Sequence, residues 1–349
     1  MIRHGAGSYA VIVQTGARTL LPSLIDERHP GARIALIADD GALAALGSPL
    51  PDATVLTFAA GESSKSRERW SSLSDQLLGN GYDRHTVLVA FGGGVASDLA
   101  GFVAATYHRG VPWIAVPTTT LAMLDAAIGG KTGVNTPRGK NLVGAFHPPS
   151  AVLCDPSALT TLPERNYREG LAEAVKHAVT LDASFGRWLL THAPAIAARD
   201  SHVLESLIRT SAGLKADIVM ADEREADRRA VLNAGHTVAH ALEGASDYAI
   251  PHGEAVAIGL VLETRVSELM RVARPGTADE VASLLERMEL PTTVPPGLDR
   301  DRMMELMHSD KKNRDGKIRA SLLAAFGEAA RDDNEWTQPI DVDLLAALL

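Results

Sequence analysis

The hydrophobic pattern of the chain changes period about half-way along. Over residues 1–155, short β-branched and aliphatic runs recur: "YAVIVQ" (9–14), "RIALIA" (33–38), "ATVLTF" (53–58), "TVLVAF" (86–91), "WIAVP" (113–117) and "AVLCD" (151–155). Each has the length of a strand, and near-continuous apolar sequence marks strands covered on both faces. Segments with helical spacing, such as "SRERWSSLSDQLLG" (66–79), lie between most of them. This alternation predicts a parallel, doubly wound, Rossmann-like α/β sheet.

Beyond residue 156, apolar positions recur every three or four residues. The windows 164–180, 201–222, 231–245, 253–273 and 276–288 all predict helices, while "KIRASLLAAF" (317–326) suggests one added strand. The expected organisation is an α/β domain over 1–155 and an α-helical domain over 156–349, with the functional site in a cleft where they pack. At 349 residues two domains are also the natural size expectation.

Composition narrows the function. With 46% hydrophobic and 22% charged residues the chain reads as globular and soluble, and a net charge of −9 argues against a nucleic-acid or acidic-membrane partner. An anionic ligand would need local cations working against that field. Cys154 is the one cysteine, which excludes an internal disulfide and fits a reducing compartment. The start "MIRHGAGSYAVIV" lacks a signal-peptide pattern, and the apolar stretch 86–107 is too glycine-rich and polar to span a bilayer, so the expected location is cytoplasmic.

Several stretches carry chemistry. "VLVAFGGGVASDLAGF" (87–102) passes from a buried strand through three glycines into a helix, an arrangement that lets a phosphate meet free N–H groups; Gly92-x-Gly94-x-x-Ser97 lacks the last glycine of the usual dinucleotide fingerprint. Asp39, ending the second strand, is placed for a ribose hydroxyl, and Glu62 and Lys65 in "GESSKS" follow the third. "DAAIGGKTGVNTPRGKN" (125–141) reads as a glycine-rich loop whose Lys131, Arg138 and Lys140 suit a phosphate. "GLAEAVKHA" (170–178) sets Glu173, Lys176 and His177 on one helical face, and "NAGHTVAHALE" (233–243) sets Asn233, His236, His240 and Glu243 on another, with His252 and Glu254 close behind. Polar stripes in apolar helices are either satisfied or functional. There is no His-Glu-x-x-His, which removes the metalloprotease reading, while two histidines with one carboxylate would leave a coordination position open, as catalytic zinc requires. "SDKKNRDGKIR" (309–319), with five cations in eleven residues, reads on composition as a solvated face.

The order of these pieces closely resembles the 3-dehydroquinate synthase family. The matching stretches are "GGGVASDLAGFVAATYHRG", "PTTTLAMLDAAIGGKTGVNTPRGKNLVGAFHPP", "TLPERNYREGLAEAVKHA", "ADERE", "LNAGHTVAHALE", "HGEAVAIGL" and "DKKNRDGKIR", running from about residue 9 to residue 327. The resemblance implies conversion of 3-deoxy-D-arabino-heptulosonate 7-phosphate to 3-dehydroquinate plus phosphate, a step of the shikimate pathway and so of chorismate and aromatic amino-acid biosynthesis. It also implies NAD and a divalent metal, zinc with cobalt as a substitute. By the same resemblance Glu173, His236 and His252 would hold the metal, with His240 facing substrate. Lys131, Asn141, Asn233, His240 and one or both of Lys311 and Lys312 would surround the phosphate, Lys215 and Arg229 the carboxylate, and Asp125, Lys176 and Glu225 the hydroxyls. The NAD positions would be Asp39, Glu62, Lys65, Gly93, Gly94, Val95, Asp98, Thr118, Thr119 and Lys140, and Arg109 would serve the neighbouring subunit of a homodimer.

Departures from the family pattern are small. Ala96-Ser97, Ala126-Ala127 and Gln14 replace residues common there, and none removes a chemical group. The alternatives are another sugar-phosphate cyclase, whose substrate would lack the carboxylate, and a metal-dependent NAD polyol or glycerol-phosphate dehydrogenase, which would release NADH.

Overall fold

The computed structural model describes residues 1–5, 7–308 and 317–349. It divides into two units, one comprising Met1–Pro163 with Leu204–Met220, the other Glu164–Val203 with Ala221–Leu349.

The first unit is built on seven strands in chain order: β1 (Ile2–His4), β2 (Gly7–Val13), β3 (Arg33–Asp39), β4 (Thr54–Phe58), β5 (Thr86–Gly92), β6 (Trp113–Pro117) and, after a hairpin of β7 (Lys131–Thr136) and β8 (Gly139–Phe146), β9 (Ala151–Cys154). Their order across the sheet is β1-β2-β9-β6-β5-β3-β4, parallel except for the β1–β2 hairpin. Helices α1 (Leu21–Arg28), α2 (Asp40–Leu46), α3 (Arg67–Gly79) and α4 (Gly94–Thr106) connect these strands. β5 is buried along its whole length, which is why its sequence is apolar without alternation. Leu36, Val89, Phe91, Val116 and Leu153 pack with Leu21, Leu24 and Ile25 of α1 to form the core on one face.

The second unit holds α5 (Glu164–Leu181), α6 (Ala183–Ala197), part of α7 (Ser201–Ala221), α8 (His236–Ala245), α9 (His252–Leu269), α10 (Thr277–Arg287) and α11 (Arg300–His308). α5 and α9 are buried nearly all round, so each needs partners for the polar groups it carries inward.

The structure departs from the sequence expectations at four places. The division falls at Pro163 rather than 155, and most of α7 returns to the first unit. The reason is polar as well as apolar: Lys215 Nζ donates to Asp125 O at 2.6 Å, Arg209 to Val13 O at 3.2 Å, and Glu205 accepts from Thr15 N at 2.7 Å. The lysine-bearing stretch is not a loop but largely the β7–β8 hairpin, paired from Lys131↔Phe146 to Thr136↔Gly139. Facing glycines allow it, since a Cβ on Gly144 would lie 2.1 Å from Thr132 O. The helix expected over 231–245 is broken: Arg228–Asn233 forms a 3-10 turn, and α8 starts only after Gly235. Gly235 is left-handed (φ +78°), and a Cβ there would sit 2.8 Å from Leu260 N. The single strand expected over 317–326 is two short ones, Arg319–Ala320 and Leu323–Ala325.

Candidate active site

In the first unit, β4 and β5 lie on opposite sides of β3, so the chain changes direction across the sheet at that point. Open α/β sheets bind ligands outside the carboxyl ends of the strands at such a switch. Asp39 ends β3 and the glycine turn ends β5, so both sit there. The Asp39 carboxylate accepts from Gly93 N at 3.3 Å and caps α2 by accepting from Ala42 N at 2.6 Å. Gly92 is left-handed in φ (+150°), and a Cβ on it would meet Asp39 Oδ2 at 2.5 Å. Any side chain there would push Asp39 off the turn. Gly94, Val95 and Asp98 lie in the first turns of α4, Thr118 N donates to Gly92 O at 2.9 Å, and Thr119 Oγ1 accepts from Ala122 N at 3.2 Å.

Lys65, nearly buried, is ion-paired with Asp98, and Lys140 lies 4.0 Å from Glu62. Asn135, which no motif in the sequence singles out, joins these pieces. Its Nδ2 donates to Glu62 at 2.7 Å, its backbone N to Lys65 O at 2.8 Å, and its Oδ1 accepts from Asn141 N at 3.0 Å. An asparagine in a β-hairpin offers no signal in a single sequence that would separate it from its neighbours. Lys131 is exposed at the start of β7. Asp125 lies in a π-turn (Ala122–Ala126) and pairs with Lys215 at 2.6 Å. Arg109 is exposed, and both Arg109 (φ +69°) and Asn141 (φ +56°) have left-handed backbone.

In the second unit the polar faces of α5, α8 and α9 converge. Glu173, His236 and His252 each offer one donor atom, and these lie within 4.8 Å of one another. Glu173 Oε1 is 3.5 Å from His252 Nε2 and 3.9 Å from His236 Nε2. The other nitrogen of each ring is already engaged: His236 Nδ1 lies 3.1 Å from Ala234 O, and His252 Nδ1 lies 3.4 Å from Glu243 Oε1. Metal-bound imidazoles use their second nitrogen in this way. Two imidazoles and a carboxylate form a donor set for a divalent ion with room for further ligands, so the residues present fit such a group. His240 is exposed, its ring 5.6 Å from that of His236, and it is not among these three donors.

Burial and the charge of Lys176 hold His236 well below the usual histidine range. Burial acts the same way on His252, but hydrogen bonds to Glu173 and Glu243, together with their charges, outweigh it and push this histidine up to about 10. Lys176, almost fully buried, is ion-paired with Glu173. Arg229 is buried at 2% exposure and donates to Glu223 O at 2.7 Å. Asn233 Nδ2 donates to Glu225 Oε1 at 2.7 Å, and Glu225 has left-handed backbone (φ +58°). Lys311 and Lys312 lie outside the described residues.

The fold has the architecture of sugar-phosphate cyclases. It is similar to a structure of 2-deoxy-scyllo-inosose synthase complexed with carbaglucose-6-phosphate, NAD+ and Co2+ (TM-score 0.88, 25% identity, covering 97% of this chain and 95% of that one). It is also similar to 2-epi-5-epi-valiolone synthase from Streptomyces hygroscopicus with NAD+ and Zn2+ bound (TM-score 0.86, 28% identity, 98% and 95% covered). Models of the 3-dehydroquinate synthase N-terminal and C-terminal regions match residues 55–169 and 170–313. The 3-dehydroquinate synthase of Halorhodospira halophila is 43% identical over 334 residues, 94% of this chain and 93% of that protein. The chain belongs to the 3-dehydroquinate synthase family and is a phosphate-eliminating cyclase of that type. Among the described residues, no helix is long and apolar enough to cross a membrane.

Proposed function

We propose that this chain converts 3-deoxy-D-arabino-heptulosonate 7-phosphate to 3-dehydroquinate and phosphate, with NAD in the first unit and a divalent ion, zinc in preference to cobalt, on Glu173, His236 and His252. The observation that carries the reading is this donor trio in a member of the family. When bound, the ion would acidify a coordinated alcohol and polarise the ketone derived from it, while NAD would take a hydride and return it.

The remaining work falls to the chain's own side chains. Asp39, anchored to the glycine turn, would orient the nucleotide ribose, with Gly93, Gly94 and Val95 at the helix N-terminus receiving the pyrophosphate. Glu62, Lys65, Asp98, Thr118, Thr119 and Lys140 would complete that site. The buried Arg229, its orientation set by Glu223 O, would take the substrate carboxylate together with Lys215. Asp125, Lys176 and Glu225 would bind the hydroxyls, so Lys215 would exchange part of its pairing with Asp125 for substrate. Lys131, Asn141, Asn233, His240 and one or both of Lys311 and Lys312 would hold the phosphate and stabilise its departure. His240, solvent-exposed one turn beyond His236, would face the substrate phosphate rather than the ion. Arg109 would serve the partner's site in a cytoplasmic homodimer.

The test is direct. Purified protein incubated with the heptulosonate phosphate, NAD and zinc should release phosphate and dehydroquinate in equal amounts without net NADH. Preference for sedoheptulose 7-phosphate, which lacks the carboxylate, would overturn the substrate assignment.

A further inference from the structure

Two buried carboxylates stand beside the donor trio and supply none of its three atoms. Glu243, on α8, is 2% exposed and faces His252 Nδ1, the nitrogen pointing away from Glu173. Glu263, on α9, is 3% exposed and accepts from Gly235 N at 2.8 Å and Val238 N at 3.0 Å. A helix start needs acceptors for its first N–H groups, and Gly235, the residue capping α8, has no side chain to provide one. Glu263 supplies both acceptors from another helix. His236 is the first residue of the turn it caps.

The two contacts are reciprocal. α9 carries His252 and caps the helix that presents His236, while α8 carries His236 and braces the ring of His252. Buried carboxylates are costly unless they are hydrogen-bonded or paired, and these two find their partners at the points that position His236 and His252.

We infer that Glu243 and Glu263 are positioning residues for the metal site: Glu243 fixes the His252 tautomer that leaves Nε2 for the ion, and Glu263 fixes where α8 presents His236. The inference rests on the proposed metal reading. A carboxylate accepting the Nδ1 proton makes Nε2 the lone-pair nitrogen and stops the ring from flipping. Loss of the Glu263 cap would let the first turn of α8 fray and carry His236 with it.

The test compares Glu243→Gln, Glu263→Gln and His236→Ala with the wild type by chelator competition for Zn2+ and by the absorption spectrum of bound Co2+. Histidine-selective 15N NMR of the zinc-loaded wild type and glutamine variants reports the tautomer. Both glutamine variants should bind zinc about 10–100-fold more weakly, and His236→Ala should lose it. The NMR signature should separate the roles, since Glu243→Gln should disturb the His252 Nδ1–H and Glu263→Gln should leave it intact. If His236→Ala loses zinc while both folded glutamine variants hold it within twofold of the wild type, the inference is overturned. If His236→Ala itself holds zinc normally, the metal reading fails instead. Should a variant not fold, the wild-type spectrum still decides: His252 bound through Nδ1 contradicts the role given to Glu243.

Discussion

Substituting Gly259 by alanine should damage the proposed metal site without replacing any of its three donor residues. Gly259 lies in α9 where α8 begins, and a Cβ there would stand 2.0 Å from Gly235 O, 3.0 Å from Gly235 C and 3.2 Å from Ala239 N. Those are backbone atoms, which cannot rotate aside. The helices must separate by about 1 Å before the closest contact reaches the shortest real Cβ distances, and a close-packed interior resists that. Overpacking of this kind costs about 1–3 kcal/mol. The same shift moves Gly235, its bond to Glu263 and the adjacent His236, whose Nε2 is 3.9 Å from Glu173 Oε1. Metal–ligand distances tolerate only about 0.2 Å, so zinc affinity should fall by on the order of tenfold or more, the scale seen when supporting groups are lost. Denaturant unfolding of the metal-free protein and chelator competition measure the two effects. Stability within about 0.5 kcal/mol of the wild type, with unchanged zinc affinity, would refute the packing argument.

Gly213→Ala is the contrasting case, because a Cβ at this position in α7 meets nothing within 4 Å. It should stabilise the protein by about 0.4–1 kcal/mol through the unfolded chain, and a lowered Tm would count against the open surface. Cys154 is fully buried and its thiol is pushed up to about 12 by that burial, so Ellman's reagent at pH 8 should label it only in denaturant; rapid labelling of native protein would contradict the fold there. In metal-free protein the His252 value of about 10 lies above the unfolded 6.5. The stability it contributes is therefore complete below about pH 6.5 and lost as pH rises through about 10. The Tm of the metal-free wild type should fall between pH 7 and 10 more steeply than that of His252→Gln, and parallel slopes would refute the pairing with Glu173 and Glu243.

Much of the fold could be read from the one-dimensional pattern, because burial on both faces of a parallel sheet leaves a continuous apolar run and burial of one helical stripe leaves a three-to-four spacing. All six expected strands of the first unit appear, shifted by at most two residues at either end. The glycine turn after β5 was equally plain, since a strand followed by consecutive glycines and a helix has few other structural solutions. The donor types at 173, 236 and 252 could be marked as unusual inside apolar helices, although spacing alone could not choose among His236, His240 and His252.

Tertiary structure supplies the grouping that spacing could not: where α5 and α9 meet α8, one donor atom each from Glu173, His236 and His252 lie within 4.8 Å of one another. It also broke the expected 231–245 helix at a left-handed glycine, drew most of α7 into the first unit, and folded the lysine-bearing stretch into a hairpin. Glu263 shows the reason most clearly. In sequence it is a single acid in an apolar run, 28 residues from the Gly235 N–H it accepts. Local pattern records which face of an element is buried, but the partners of a buried charge are set by which elements meet, and that follows from packing the whole chain.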